Sequence, residues 1–90
     1  MVSSSAMVSD HVRRGFYKEA LAFYCDMEKT DTQPNHFTFT SVLSACANLV
    51  DLENGKGVHH DIIFSGLQCN VTVGSALVNM YAKCGCKENA

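Results

Sequence analysis

Two clusters in this chain carry metal-ligand side chains, His59-His60-Asp61 and Cys84-Gly85-Cys86. A zinc centre takes four nitrogen, sulfur or carboxylate ligands in a tetrahedron, and the sequences that build one bring paired ligands at short fixed spacings. No CxxC occurs, and the two clusters fall in different segments of a repeating pattern, so the spacing matches no common zinc site. Serine, histidine and aspartate are all present as well. There is no Gly-x-Ser-x-Gly elbow to expose a nucleophile, and helical segments offer no oxyanion pocket. The expectation is a chain with no catalytic residues, no resident metal and no cofactor. What remains is hydrogen bonding. Hydroxyls recur at Ser5, Thr40 and Ser75, and carboxamides at Asn35 and Asn70, each set spaced by 35 residues. Taken alone, such residues cap helices and fill turns.

The same 35-residue offset governs the apolar positions. Ala6, Ser41 and Ala76 share a column, as do Met7, Val42 and Leu77, and then Val8, Leu43 and Val78; Gly15 and Gly85 lie two periods apart. A constant period in this range signals stacked structural units, none of which buries its apolar face alone. Each unit reads as two helices and a turn. In the first, Val8, His11, Val12 and Gly15 keep helical spacing, and Gly15 supplies a stop. A second helix is expected from about Tyr17 to Lys29, with Ala20, Phe23, Tyr24 and Met27 on one stripe, before Gln33-Pro34-Asn35 breaks the backbone.

The next unit opens with Thr38-Phe39-Thr40-Ser41 as helix-entry chemistry and places Leu43, Cys46, Ala47 and Val50 on a stripe. Its second helix is expected from about Asp51 to Ser65, with Val58, Ile62 and Ile63 as the apolar face. Gly55 and Gly57 weaken its first turns and Gly66 caps its end. A third opening helix carries Leu77, Met80, Tyr81 and Cys84 before Gly85. The segment His36 to Thr40 is aromatic and β-branched enough to suggest a strand, but the period assigns it to helix entry. The fold class expected is all-α: an α-solenoid of tandem antiparallel helix-turn-helix hairpins.

A net charge of -2 argues against strong nonspecific nucleic-acid binding, so any nucleic acid would be held locally. Arg13, Arg14 and Lys18 form a small basic cluster, read first as a solvated face. Five cysteines are an odd count for a disulfide framework, and Cys25, Cys46 and Cys84 stand where small apolar residues belong. No apolar run reaches the ~18 residues that span a bilayer, and the amino terminus shows no Arg-rich, Ser-rich import leader. Two units and the front of a third are expected to be a marginal piece of a longer array.

Three runs carry a family resemblance: Thr38-Phe39-Thr40-Ser41-Val42-Leu43-Ser44-Ala45-Cys46-Ala47, Gly55-Lys56-Gly57-Val58-His59, and Ala76-Leu77-Val78-Asn79-Met80-Tyr81-Ala82-Lys83-Cys84-Gly85. Together they resemble the plant pentatricopeptide repeat family, and more narrowly its subfamily that alternates P, L and S repeats. The resemblance implies a P-like repeat over 1–35, an L-like repeat over 36–70 and a partial S-like repeat over 71–90. It further implies a groove, lined by the first helices, that holds single-stranded organellar RNA at one nucleotide per repeat. The implied base readers are the fifth and last residues of each repeat: Ser5 with Asn35, Thr40 with Asn70, and Ser75. A hydroxyl with Asn is similar to the family's adenine-preferring pair, so Ser5 with Asn35 is expected to favour A, and Thr40 with Asn70 is left open. Val2, Phe37 and Thr72 would sandwich the bases. His59 matches a histidine common in L-like repeats, expected between helices.

Work in RNA editing or processing in a mitochondrion or chloroplast is implied too, with RNA-editing cofactor proteins as further partners and no membrane. Asp10 and His11 depart from a common Gly-Tyr and are expected to loosen packing slightly. The competing classes are a protein-binding helical scaffold, whose register would not require hydroxyls at the fifth position and Asn at the last, and a gene fragment without activity.

Overall fold

The computed structural model describes the backbone over residues 4–29 and 35–88 and the side chains over 7–27 and 35–85. Among the described residues five α-helices follow one another: α1 (Ser4–Arg13), α2 (Tyr17–Lys29), α3 (His36–Leu49), α4 (Leu52–Ser65) and α5 (Val71–Glu88), with a 3-10 turn at Leu67–Cys69 before α5. The first helices, α1, α3 and α5, pack side by side in one layer. In the second layer α2 lies against α1 and α3, while α4 lies against α3 and α5. This is the expected all-α solenoid of antiparallel hairpins. Gln33 and Pro34, the expected chain break, lie outside the described residues.

The hairpins repeat at the level of individual hydrogen bonds. At the end of α1, Phe16 N–H donates to His11 O (2.8 Å) and Gly15 N–H to Val12 O (3.1 Å). Thirty-five residues on, Asp51 N–H donates to Cys46 O (2.9 Å) and Val50 N–H to Ala47 O (3.2 Å). Both are paired closures of a helix end, and both need a left-handed residue. Gly15 takes it at φ 87°; Val50 takes it at φ 51°, where a β-branched side chain costs about 1–2 kcal/mol. Gly85, third in this column, does not terminate its helix: α5 continues through it to Glu88, satisfying its backbone by ordinary helical bonds.

Helix entry differs from the sequence reading by a few residues. Asn35 is the N-cap of α3, its Oδ1 accepting from Thr38 N–H at 2.9 Å and from the Thr38 hydroxyl at 3.1 Å. Thr38, expected near the helix start, is therefore inside the first turn and fully buried. Asp51 caps α4 in the same way, accepting from Asn54 N–H, and Gly66 closes it at φ 80°.

The core runs between the two layers through Val8, Ala20, Phe39, Val42, Leu43, Cys46, Ile62, Val73 and Met80, all fully buried. Cys46 and Cys84 are buried as expected of small apolar residues. Cys25 is exposed, against expectation, because its side of α2 faces an open groove toward α4 rather than the core. Burial pushes the Cys46 thiol from 9.0 up to about 12, and the Asp51 carboxylate adds to the shift. The folded chain then keeps a proton that the unfolded chain releases. Stability from this group is complete below pH 9 and is lost as pH rises toward about 12. In native labelling at pH 8, iodoacetamide is expected to modify Cys25 and Cys69 at least about tenfold faster than Cys46, and urea should abolish the difference. Equal native rates would contradict the core assignment.

Candidate nucleic-acid interface

The layer of first helices has one side on the second layer and one side open. On α3 the open side carries Phe37, Thr40, Ser44 and Asn48; on α5, one period later, it carries Thr72, Ser75, Asn79 and Lys83. Phe37, Ser44, Asn48, Thr72, Ser75, Asn79 and Lys83 are exposed and Thr40 is half-buried. The spacing is the reason. Within each helix these residues recur at three or four positions, which keeps them on one stripe, while Val42 and Leu43 or Val73 and Met80 turn toward neighbouring helices. Between the two stripes runs a groove of about 230 Å³, floored by Leu43, Ala47 and Ala76 and edged by Thr40, Ser44, Asn79 and Lys83.

Of the residues singled out by the resemblance, Thr40, Ser75, Phe37 and Thr72 stand on this open side. Phe37 is 50% exposed, so part of its ring stands open at the start of α3. Asn35 and Asn70 sit at the entrances to α3 and α5. Ser5 belongs to α1, its side chain outside the described residues, and Val2 lies outside them altogether.

Hydrogen bonding sets what each polar group still offers. The Thr40 hydroxyl donates to Phe37 O at 2.8 Å, which leaves its oxygen as an acceptor. Asn70 Oδ1 accepts from Thr72 N–H at 2.9 Å and Val73 N–H at 3.3 Å, which leaves its NH₂ as the group able to donate. Asn35 is oriented likewise by Thr38. The carboxamides therefore cap helices and present donors at once. Ser44 and Asn48 are joined within α3, the Asn48 side chain donating to Ser44 O at 2.9 Å.

The basic side chains divide. Arg13, in the same column as Asn48 and Lys83 of the 35-residue register, is exposed on the open side of α1. Arg14 is paired with Asp10 at 3.2 Å. Lys83 edges the groove but was missed in the sequence reading; only the register, Arg13 to Lys83 over two periods, pointed to it.

The metal-ligand residues point apart. His59 Nδ1 lies 2.9 Å from the Tyr81 hydroxyl, between α4 and α5, which is the inter-helix position expected of it. His60 faces the α2–α4 groove, and Asp61 accepts from the Tyr24 hydroxyl at 2.6 Å. Among the described residues, no three His, Cys, Asp or Glu side chains converge; the Cys86 side chain lies outside them. His11 fills rather than loosens its surroundings, its ring 4.9 Å from that of Phe23 and Nδ1 2.7 Å from Met7 O. Among the described residues no helix is long and apolar enough to cross a membrane.

Comparison with known proteins agrees with the repeat geometry. The PPR repeat family model matches residues 1–48. One pentatricopeptide repeat-containing protein of Arabidopsis thaliana is 44% identical over 86 residues, covering 94% of this chain and 16% of that protein. A second is 37% identical over 91 residues, covering 100% of this chain and 15% of its own length. A third is 40% identical over 84 residues, covering 93% and 17%. The chain thus spans about a sixth of the length of these relatives. With its paired helices, 35-residue register and matching family model, the chain belongs to the PPR repeat family.

Proposed function

We propose that this chain is a segment of a modular single-stranded RNA-binding array of the subfamily that alternates P, L and S repeats, with a P-like unit over 1–35, an L-like unit over 36–70 and the front of an S-like unit over 71–90. In this reading Ser5, Asn35, Thr40, Asn70 and Ser75 read bases, and Val2, Phe37 and Thr72 contact their faces. The array serves organellar RNA editing or processing, in a mitochondrion or chloroplast, alongside RNA-editing cofactor proteins.

The observation that carries the reading is that hydrogen bonding within the chain leaves Thr40 an acceptor and Asn70 a donor. In this reading Thr40 accepts from an exocyclic amino group and Asn70 donates to the unprotonated ring nitrogen beside it. Adenine and cytosine have that edge; guanine and uracil present the reverse. Exposed Phe37 supplies a stacking face, and Lys83 and Arg13 supply isolated charges for phosphate, which suits a chain of net charge -2.

The test places residues 1–90 within a longer array and measures single-stranded RNA binding by fluorescence anisotropy. Asn70→Asp keeps oxygens to cap α5 but removes the NH₂ donor. It should cut the preference for an amino-edged base at that position about ten- to a hundredfold, with the melting curve unchanged. An unaltered preference would remove Asn70 from base reading.

A further inference from the structure

We propose that the groove between α3 and α5 holds the ribose of a bound nucleotide, with Ser44 and Asn79 hydrogen-bonded to its 2′-hydroxyl, so that this segment selects RNA over DNA. The inference rests on the base reading proposed above and adds recognition of the sugar to it.

On the open side of the first helices, three columns of the register follow one another at intervals of four residues. On α3 they hold Thr40, Ser44 and Asn48; on α5 they hold Ser75, Asn79 and Lys83. Four residues of α-helix rise about 6 Å, so the middle column stands halfway along a ridge about 12 Å long. A nucleotide has its parts in the same order, with the base edge at one end, the phosphate at the other and the ribose between them. Thr40 and Lys83 edge one groove, and Ser44 and Asn79 edge it between them. A nucleotide with its base at Thr40 and its phosphate at Lys83 therefore lays its sugar against Ser44 and Asn79. Ser9 on α1 continues the middle column with another small hydroxyl.

The chemistry of the groove fits a neutral hydrogen-bonding group. Its floor of Leu43, Ala47 and Ala76 has no aromatic ring, so it offers no stacking face to a base. Among the described residues that line it, Lys83 alone is charged, and it stands at the edge. The polar groups around it differ in what they have left. Thr40 is tied to Phe37 O and Asn48 to Ser44 O. The Ser44 hydroxyl and the Asn79 carboxamide make no hydrogen bond among the described residues. Each can donate and accept, and so can a 2′-hydroxyl, the group by which a protein tells RNA from DNA at a given site. A deoxyribose would present only C–H to both.

The experiment uses the longer array that carries residues 1–90 and two single-stranded RNAs. They differ only in a 2′-deoxy sugar at the nucleotide read by Thr40 and Asn70, and binding is measured by fluorescence anisotropy. The deoxy RNA should bind about tenfold more weakly. Ser44→Ala and Asn79→Ala introduced together should weaken the all-ribose RNA by about the same factor and spare the deoxy RNA, so that the two bind alike, with the melting curve unchanged. Lys83→Ala should weaken both RNAs equally, because both keep the phosphate. If the wild-type array binds the two RNAs alike while keeping its base preference, the ribose assignment is overturned and the base reading stands. A deoxy penalty that persists in the double variant overturns it as well, since the penalty then reports sugar conformation rather than contact. An array that binds neither RNA overturns both readings.

Discussion

Tyr24→Phe is expected to lower stability by about 1.5–3 kcal/mol and Tyr24→Ala by about 3–5 kcal/mol. The side chain is buried, and its hydroxyl donates to Asp61 Oδ2 at 2.6 Å, joining α2 to α4 across the second layer. A bond to an ionised acceptor is stronger than one between neutral groups. Removing the hydroxyl leaves the half-buried carboxylate on the α2–α4 groove without this partner. The ring contributes separately, edge-on to Phe39 with centroids 6.1 Å apart, so alanine removes that contact and opens a cavity as well. A chain of this size holds about 5–10 kcal/mol in total, so the alanine variant forfeits a large share. Urea melts followed by circular dichroism read both values. If Tyr24→Phe melts with wild type while Asp61→Ala does not, the carboxylate acts through another partner and the α2–α4 link is assigned wrongly.

Gly55→Ala should destabilise the chain by about 1–2 kcal/mol, although alanine is the better helix former by about 1 kcal/mol. A β-carbon at Gly55 would overlap Met80 Sδ and stand 2.7 Å from its Cε. Methionine is flexible and would ordinarily swing aside, but Met80 is fully buried and its sulfur lies 3.9 Å from the Cys84 thiol. The sign should reverse once the obstruction is gone. In a Met80→Ala background, itself costing about 2–5 kcal/mol, Gly55→Ala should stabilise by up to about 1 kcal/mol. A double-mutant cycle measures that coupling. Additive effects would mean that Gly55 is only a weak helix residue and that its contact with Met80 constrains nothing.

Gly55 also illustrates where sequence reading stops. As a residue in a helix it registers as a local weakness, because intrinsic propensity is all that one position displays. Its register partner Ala20, fully buried on α2, shows that this column holds small residues where second helices approach the first layer. Closeness between α4 and α5 explains the choice, and closeness belongs to packing. Helix limits were more legible. The bounds Tyr17 to Lys29 came directly from apolar spacing, and Asp51 and Gly66 marked the ends of α4 because capping is local chemistry. Cys25 was misjudged for the converse reason: helical spacing says which residues share a stripe but not whether a neighbouring helix closes over it.

The candidate interface divides in the same manner. Phe37, Thr40, Thr72 and Ser75 were legible through period and family resemblance, whereas Lys83 emerged from the groove it shares with Thr40. The direction of each hydrogen bond was not legible at all. Asn70 has a donor and an acceptor in the sequence; only its capping of α5 consumes the acceptor and leaves the donor.

By itself, then, the sequence determined the all-α hairpin architecture, its 35-residue register and membership of the stripes, since these follow from bonds and contacts within a few residues of each other. Tertiary structure decided which stripe became core, groove or end face. That choice depends on what lies opposite: Val8, Leu43 and Val78 occupy one column, yet two are buried and one stands in water, because a residue's burial is a property of its neighbour as much as of itself.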